Sequence, residues 1–236
     1  MAYQSSFQRY EIKYILTRSQ KDALLKVMEP YMRLDRYGRT TIRNIYYDTP
    51  NYRLIRHSIE RPIYKEKLRI RSYAQVSPGG DVFVELKKKF KKVVYKRRLV
   101  MPIHEAMEWL SGEDALKPPT QIGEEIRYFR DFYEKLQPTV FLSYEREAFY
   151  SLDGSEFRIT LDENILARDE DLDLCSKAYG IPILPEGMTL LEVKAPGAIP
   201  LWLTRFLTEN KIYKTSFSKY GTAYQNMLFK GGQVRV

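Results

Sequence analysis

Several segments of this chain alternate charged and apolar residues, with charges of one sign on one side. In the segment KEKLRIRSY, Lys67, Arg69 and Arg71 alternate with Leu68 and Ile70. A period of two predicts a β-strand whose successive side chains face opposite sides of a sheet. Like charges on neighbouring strands repel each other. A chain that repeats this pattern must expose the charged faces to water or hold an anion between them.

The same pattern recurs in most of the other predicted strands. The bases on the charged parity are Lys13, Lys87, Lys89, Lys96, Arg98, Arg146, Arg158 and Lys194. The opposite parity is apolar, at Ile12, Leu68, Ile70, Val84, Leu86 and Val193. In a β-barrel one parity faces outward and the other inward. Helices can cover an apolar outer face, so we expect the charged parity to line a wet interior that holds a polyanion.

Eight strands separated mostly by short turns predict an antiparallel sheet closed on itself. The predicted strands are residues 7–16, 41–48, 65–73, 82–89, 93–101, 139–150, 156–165 and 189–194. The predicted helices are residues 17–31, 51–58, 103–110, 123–135, 200–209 and 218–229. The predicted fold class is α+β, an antiparallel eight-stranded tunnel barrel with flanking helices. Without an internal repeat or a linker, residues 1–236 are expected to form a single domain.

Composition excludes several classes of protein. With 44% hydrophobic and 14% aromatic residues, the chain is too apolar to be disordered. A single cysteine, Cys175, excludes a disulfide framework and fits a reducing compartment. No apolar run approaches the roughly 20 residues of a membrane span, so a cytoplasmic location is expected. The net charge of +9 indicates a polyanionic partner.

Carboxylates interrupt the basic parity at Glu11, Glu85 and Glu192, and also at Asp162. A purely basic interior would bind phosphate, whereas added carboxylates can hold Mg²⁺ or Mn²⁺ against phosphate oxygens. Glu192 is the first metal-ligand candidate, followed by Glu11 and Glu85. The alternative for each is an ion pair with a neighbouring base.

The ordered motifs of the chain resemble the VTC (vacuolar transporter chaperone) domain. That domain is the polyphosphate polymerase branch of the CYTH-like triphosphate tunnel metalloenzymes. The matching motifs are RYEIKY from Arg9, KLRIR from Lys67, ELKKK from Glu85, KRR from Lys96, YER from Tyr144, EVK from Glu192 and FSKY from Phe217. They span nearly the whole chain, and the chain is expected to be a stand-alone bacterial form.

The resemblance implies transfer of the γ-phosphate of ATP to a growing inorganic polyphosphate chain, with Mn²⁺ or Mg²⁺ as cofactor. Pyrophosphate and phosphate are further implied ligands. It implies catalytic roles for Lys13, Arg69, Arg71, Lys87, Arg146, Arg158 and Lys219. It implies substrate binding by this same set together with Lys96, Tyr144, Lys194 and Ser218. It also implies metal binding by Glu192. A membrane-protein partner for export stays open.

Alternatives share this interior. Hydrolases of the superfamily typically begin with two glutamates and a lysine at alternate positions, and Arg9 replaces the first glutamate. This departure favours the polymerase over a tunnel triphosphatase, which stays open alongside a non-catalytic polyphosphate-binding module. Nucleic-acid binding is disfavoured, because Tyr10, Tyr14 and Tyr95 lie on the parity opposite the bases.

Two local interpretations concern the ends of predicted elements. Ser218 begins the last predicted helix, and a helix N-terminus can bind an anion. Tyr46, Tyr47 and Asp48 are interpreted as packing and turn residues.

Overall fold

The structure, a computed structural model, describes residues 6–7, 10–91, 93–113 and 118–229. Arg9, where the sequence departs from the hydrolase pattern, lies outside these residues. The long strands are β2 (Tyr10–Thr17), β4 (Thr40–Asp48), β5 (Tyr64–Ser72), β6 (Asp81–Phe90), β7 (Val93–Pro102), β8 (Gln137–Ser151), β9 (Arg158–Arg168) and β11 (Met188–Ala195). The short strands are β1 (Ser6–Phe7), β3 (Met32–Leu34), β10 (Ile181–Pro182) and β12 (Lys214–Thr215).

The described residues contain six α-helices, five between strands and the last after β12. They are α1 (Arg18–Met28), α2 (Arg53–Ile59), α3 (Ile103–Ser111), α4 (Gln121–Tyr133), α5 (Leu201–Glu209) and α6 (Lys219–Ala223). The first helix begins with reciprocal hydrogen bonds between Thr17 and Gln20, so Thr17 is its N-cap. All predicted strands and helices thus have a counterpart.

The twelve described strands form one antiparallel sheet that closes through the N-terminal segment. Neighbouring strands follow the order β1-β7-β6-β5-β4-β8-β9-β11-β2-β12. Two residues separate β1 from β2, and these strands pair with β7 and β11, near opposite ends of the strand order. The N-terminal segment therefore joins the two sides of the sheet, as the predicted barrel requires.

The outer face of the barrel is the apolar parity and packs against helices, as predicted. Leu68 and Leu86 are fully buried in a cluster that includes Trp109 of α3 and Ile126 of α4. On the other side of the barrel, Val193 packs in a second cluster with α1 and α5. Full burial of one such aliphatic side chain contributes about 1.5–3 kcal/mol. This packing fixes the opposite parity as the inner face.

The inner face has a polar part and an apolar part. Leu142 and Leu190 share the inward parity of Arg146 and Glu192, yet they pack in an apolar cluster with Tyr220 of α6. A π-helical turn, Tyr224–Leu228, continues α6 and adds further apolar contacts. The last helix therefore covers part of the inner face and leaves the charged part beside it.

A bulge explains where the alternation changes along β9. Asn164 has a positive φ of 47°, and the pairing of β9 with β8 shifts register there. One extra residue at a bulge reverses the parity of those that follow. Asp162 and Ile165 consequently face the same side, although three positions separate them in the sequence.

The acidic region after β9 is held in place by a buried arginine. The Arg168 guanidinium donates to backbone carbonyls of Glu170, Asp171, Asp173 and Lys177, among others. Those bonds satisfy the arginine's donors and hold the acidic loop on the outside of the sheet. The short strand β10 lies in this region and pairs with β9.

Candidate functional site

A pair of buried carboxylates forms one centre of the inner face. The ammonium group of Lys219, from α6, contacts both Asp162 Oδ2 at 2.5 Å and Glu192 Oε1 at 3.1 Å. Arg146 donates to both carboxylates as well, with Nε 2.6 Å from Asp162 Oδ1 and Nη2 3.4 Å from Glu192 Oε2. Lys13 Nζ lies 3.3 Å from Glu192 Oε1. This centre joins five elements: β2, β8, β9, β11 and α6.

A second centre surrounds one carboxylate on the wall formed by β5, β6 and β7. Arg69 and Arg98 are the cross-strand neighbours of Glu85. Arg69 Nη2 lies 2.7 Å from Glu85 Oε2, and Lys96 Nζ lies 2.7 Å from Glu85 Oε1. Arg71 Nε is farther away, 3.8 Å from Oε2. Four cations from two strands thus converge on one buried carboxylate.

Tyrosine hydroxyls and rings connect the cations of both centres. Arg69 Nη1 donates to the Tyr46 hydroxyl at 2.8 Å, and Arg71 Nη2 donates to the Tyr144 hydroxyl at 3.0 Å. The Tyr144 ring also faces the Lys219 ammonium, 4.4 Å from its centroid. Tyr144 therefore contacts a cation of each centre and holds them at a fixed separation.

The remaining predicted residues lie around these two centres. Lys87, on the inner face of β6, contacts Glu11 Oε2 at 3.7 Å, and its side chain is 41% exposed. Lys194 lies 3.9 Å from Glu192 Oε2. Arg158 is exposed and pairs in register with Lys194. Ser218 is the N-cap of α6 and accepts from the Gly221 backbone N–H. Its hydroxyl also lies 3.2 Å from Nζ of Lys67, a residue of the charged parity to which the sequence assigned no site role.

Cations outnumber carboxylates on this face. Within the described residues, ten cationic side chains take part in its contacts: Lys13, Lys67, Arg69, Arg71, Lys87, Lys96, Arg98, Arg146, Lys194 and Lys219. They are matched by four carboxylates: Glu11, Glu85, Asp162 and Glu192. This excess of positive charge at close range is suited to a polyanion.

The acidic side chains of both centres are held in the ionised state. Burial opposes ionisation of Glu85, but Arg69, Arg71 and other neighbouring cations hold its pKa far below the usual range. In the same way, burial of Glu192 is outweighed by Lys219, so the pKa of Glu192 is also well below its ordinary value. Both carboxylates therefore carry a negative charge at neutral pH.

Two lysines and one tyrosine of this face have a pKa of about 8. Burial lowers the pKa of Lys67 to about 8, helped by repulsion from Lys87. Burial and repulsion from Arg146 lower the pKa of Lys194 to about 8. Burial alone would raise the pKa of Tyr46, but Arg69 lowers it to about 8. An anion on this face would favour the charged form of both lysines.

The carboxylates suit a cation that is held together with phosphate. In the described part of the chain, no three acidic, histidine or cysteine side chains are arranged to hold a metal ion on their own. Mg²⁺ is usually bound by one or two carboxylates plus substrate phosphates and water. Glu192 and Glu11, which both contact Lys13, fit that pattern. Glu85 fits it least, because Arg69, Lys96 and Arg98 contact its oxygens at 2.9 Å or less. The nearest described cation to Glu192 is 3.1 Å away.

Sequence reasoning missed four residues of this face as site residues. Lys67 and Arg98 lie on the charged parity that defined the prediction, so the signal was present in the alternation. Asp162 shares that parity too. The interpretation of Tyr46 as a packing residue is confirmed, since it is buried in the apolar cluster with Tyr220, but it lies within β4 and not in a turn. Its ring does stack on Tyr220, with centroids 4.8 Å apart, but its hydroxyl binds Arg69.

Comparisons with known proteins agree with this architecture. A family model described as the VTC domain matches residues 8–228. A Bacillus halodurans structure, provisionally named an adenylate cyclase, has a TM-score of 0.56 at 15% identity and covers 91% of this chain and 96% of its own. A comparable structure from Hippeastrum has a TM-score of 0.53 at 15% identity and covers 91% of this chain and 94% of its own. That Hippeastrum protein, provisionally named an adenylyl cyclase, is reported to have a dominant triphosphatase activity.

The curated proteins contain no sequence that matches the chain. In the described residues, no helix combines the length and apolar character needed to span a membrane. At 15% identity, the two solved structures establish the fold alone, which is the CYTH-like tunnel fold expected from the sequence.

Proposed function

The chain belongs to the VTC domain family, and we propose that it is an ATP-dependent polyphosphate polymerase that works on the inner face of its barrel. The observation that carries the proposal is the clustering of ten cations with only four carboxylates on the inner face of one antiparallel sheet. A triphosphate brings the negative charge that this face lacks. Transfer of its γ-phosphate to a polyphosphate chain is the reaction implied by the motifs of the sequence.

Arginines are placed to clamp the phosphates, and lysines supply further positive charge. The planar guanidinium forms paired hydrogen bonds with phosphate oxygens, so Arg69, Arg71 and Arg146 suit non-bridging oxygens. Lys13 and Lys219 act as point charges beside them. These groups are already fixed by carboxylates and tyrosines, which limits the reorganisation needed when substrate binds.

The transfer requires no general base. A terminal oxygen of the polyphosphate chain attacks the γ-phosphorus of ATP, and the bond from that phosphorus to the bridging oxygen breaks. ADP leaves with the electron pair of the broken bond, and the chain gains one phosphate. Since the attacking oxygen is already an oxyanion, no proton has to be removed from it. Arg146 and Lys219 would stabilise the charge on the transferred group and on the leaving oxygen.

A divalent cation would be held by Glu192, with Glu11 as a second oxygen ligand. When bound, such a cation neutralises charge on the triphosphate oxygens. Glu192 lies at the meeting point of Lys13, Arg146, Lys194 and Lys219. A cation there would therefore be placed against phosphates that the same bases hold.

A triphosphatase is the second candidate, because α6 covers part of the inner face. The apolar cluster around Tyr220 leaves less of the barrel interior for a long chain. The Hippeastrum protein of similar fold has a reported triphosphatase activity, which supports the same alternative. In a hydrolase, water would replace the polyphosphate end as the acceptor of the γ-phosphate.

Product analysis separates these two functions. The purified chain is incubated with γ-labelled ATP and Mn²⁺, and labelled products are resolved by gel electrophoresis. Polymerase activity gives labelled long-chain polymer with one ADP for each phosphate incorporated. Labelled orthophosphate without polymer would establish the hydrolase, and no turnover would leave a binding module. Lys219→Ala should abolish most turnover, whereas Lys214→Ala, on an exposed part of β12, should retain it.

A further inference from the structure

Glu85 occupies an unusual place among the carboxylates of the inner face. It lies in the middle of β6 with Arg69 on one neighbouring strand and Arg98 on the other. Only 1% of its side chain is exposed. An ionised carboxylate is expensive to bury unless charged partners and hydrogen bonds compensate for lost water.

Both oxygens of Glu85 are fully engaged. Oε2 accepts from Arg69 Nη2 at 2.7 Å and Nε at 2.9 Å, so one oxygen orients the whole guanidinium. Oε1 accepts from Arg98 Nε at 2.8 Å and contacts Lys96 Nζ at 2.7 Å. A metal ion at either oxygen would have to displace a cation that is already within 2.9 Å, whereas the cations around Glu192 lie 3.1 Å away or more. Geometry therefore opposes a ligand role for Glu85.

The same contacts resemble what a phosphate would make. A carboxylate presents two oxygens and a negative charge, as one edge of a phosphate does, and guanidinium groups recognise both in the same way. In the free protein, Glu85 supplies the negative charge that holds Arg69, Arg71, Lys96 and Arg98 together. It also reduces the net attraction of this wall for a phosphate chain, because its charge has the sign of the ligand.

We propose that Glu85 is a resident counter-anion for the cations that bind phosphate on this wall. It is a positioning residue that orients Arg69 and Arg98, and its negative charge lowers the affinity of the wall for phosphate. The turnover part of this inference rests on the proposed function, while the binding and stability parts do not. Removing the charge should make phosphate bind more tightly and in a less productive arrangement.

Glu85→Gln tests the proposal, with Glu163→Gln as its matched control. Glu163 holds Lys21 and Arg39 and accepts from Thr189, but it lies on the outer parity of β9. Each variant loses a carboxylate that joins several cations, so each should melt at a lower temperature than the wild type. Inorganic triphosphate should raise the melting temperature of all three proteins, because it binds the folded state. With the ligand present, Glu85→Gln should approach the wild type, since the ligand replaces the missing anion, whereas Glu163→Gln should stay as far below the wild type as before.

Binding and turnover should move in opposite directions in Glu85→Gln. Inorganic triphosphate, titrated by calorimetry, should bind roughly tenfold more tightly than to the wild type, since one like charge is gone. The kcat with ATP should fall by about 100-fold, as expected when reacting groups are misplaced. The Mn²⁺ concentration for half-maximal activity should stay unchanged, because Glu85 is not a ligand.

Weaker triphosphate binding by Glu85→Gln, or a rise in the Mn²⁺ requirement, would overturn the proposal. So would a melting temperature for Glu85→Gln that stays as far below the ligand-bound wild type as that of Glu163→Gln. If Glu85→Gln does not fold without ligand, refolding in inorganic triphosphate must recover it, and failure to recover it there contradicts the proposal. Glu85→Asp keeps the charge but shortens its reach, and it should retain wild-type affinity with reduced kcat. If the wild type makes no polymer but the binding and melting results hold, the proposed function fails and the counter-anion role stands.

Discussion

The Tyr220 hydroxyl donates a 2.8 Å hydrogen bond to the buried Asp48 carboxylate, which ties helix α6 to the end of β4. Asp48 also accepts from the backbone N–H groups of Leu54 and Ile55, at the start of α2. One carboxylate thus joins β4, α2 and α6. Because Lys219 precedes Tyr220, this bond also sets where the Lys219 ammonium reaches the inner face.

Tyr220→Phe should destabilise the protein by about 1–3 kcal/mol, since a buried acceptor loses one of its donors. The ring, which stacks on Tyr46, is kept. Urea unfolding measures the change, and Tyr213→Phe, at a 79% exposed position, serves as the control. Equal stability of the two variants would show that the bond to Asp48 does not hold α6.

Substitutions of two adjacent residues on β6 should have different effects, one on the stability of the protein and the other on triphosphate binding. Leu86→Ala removes a fully buried outer-face side chain and should cost about 2–5 kcal/mol of stability. Lys87→Ala should change stability by only about 0.5 kcal/mol. Lys87→Ala should nevertheless weaken triphosphate binding roughly tenfold, since a charged contact contributes about 1.5–3 kcal/mol. Urea unfolding and calorimetry measure both effects, and the same profile for both variants would contradict the assigned faces.

Arg69→Ala should lower kcat/KM for ATP by an amount equivalent to about 2–4 kcal/mol, the usual loss for a preorganised donor. Arg97→Ala is the control, because Arg97 lies on the outer face of β7 and pairs with Glu125 of α4 at 2.9 Å. Steady-state kinetics on both folded variants provides the measurement. Undiminished synthesis by Arg69→Ala would remove Arg69 from the mechanism.

Triphosphate affinity should fall as the pH rises from 7 to 9. Burial lowers the pKa of Lys67 and of Lys194 to about 8, so both lose their charge in the free protein over this range. Each can therefore reduce affinity up to about tenfold by pH 9. Lys67→Arg stays charged at pH 9 and should lose less affinity than the wild type. Since the ionisation of the ligand is common to both proteins, identical pH profiles would exclude Lys67.

The strands were predictable because each carries its own alternation of charged and apolar residues. The ends of the strands were less predictable. For β9 the predicted span was 156–165, whereas the strand is Arg158–Arg168. The bulge at Asn164 breaks the period of two. Past a bulge, a strand no longer follows the pattern that identified it.

Which residues contact each other within the site could not be predicted, because those contacts depend on the tertiary structure. Alternation placed Glu85 and Arg69 on one face, but only the register of β5 against β6 makes them neighbours. Lys219 reaches Asp162 across 57 residues of sequence. Tyr46 could not be assigned to the site from its own segment, because its hydroxyl acts through Arg69 on another strand.

A crystal structure with inorganic triphosphate bound is the most direct measurement. It should place the phosphates inside the barrel, in contact with the guanidinium groups of Arg69 and Arg146 and the ammonium group of Lys219. Phosphate density confined to the outer surface, with the inner ion pairs unchanged, would contradict the assignment of this face as the phosphate site.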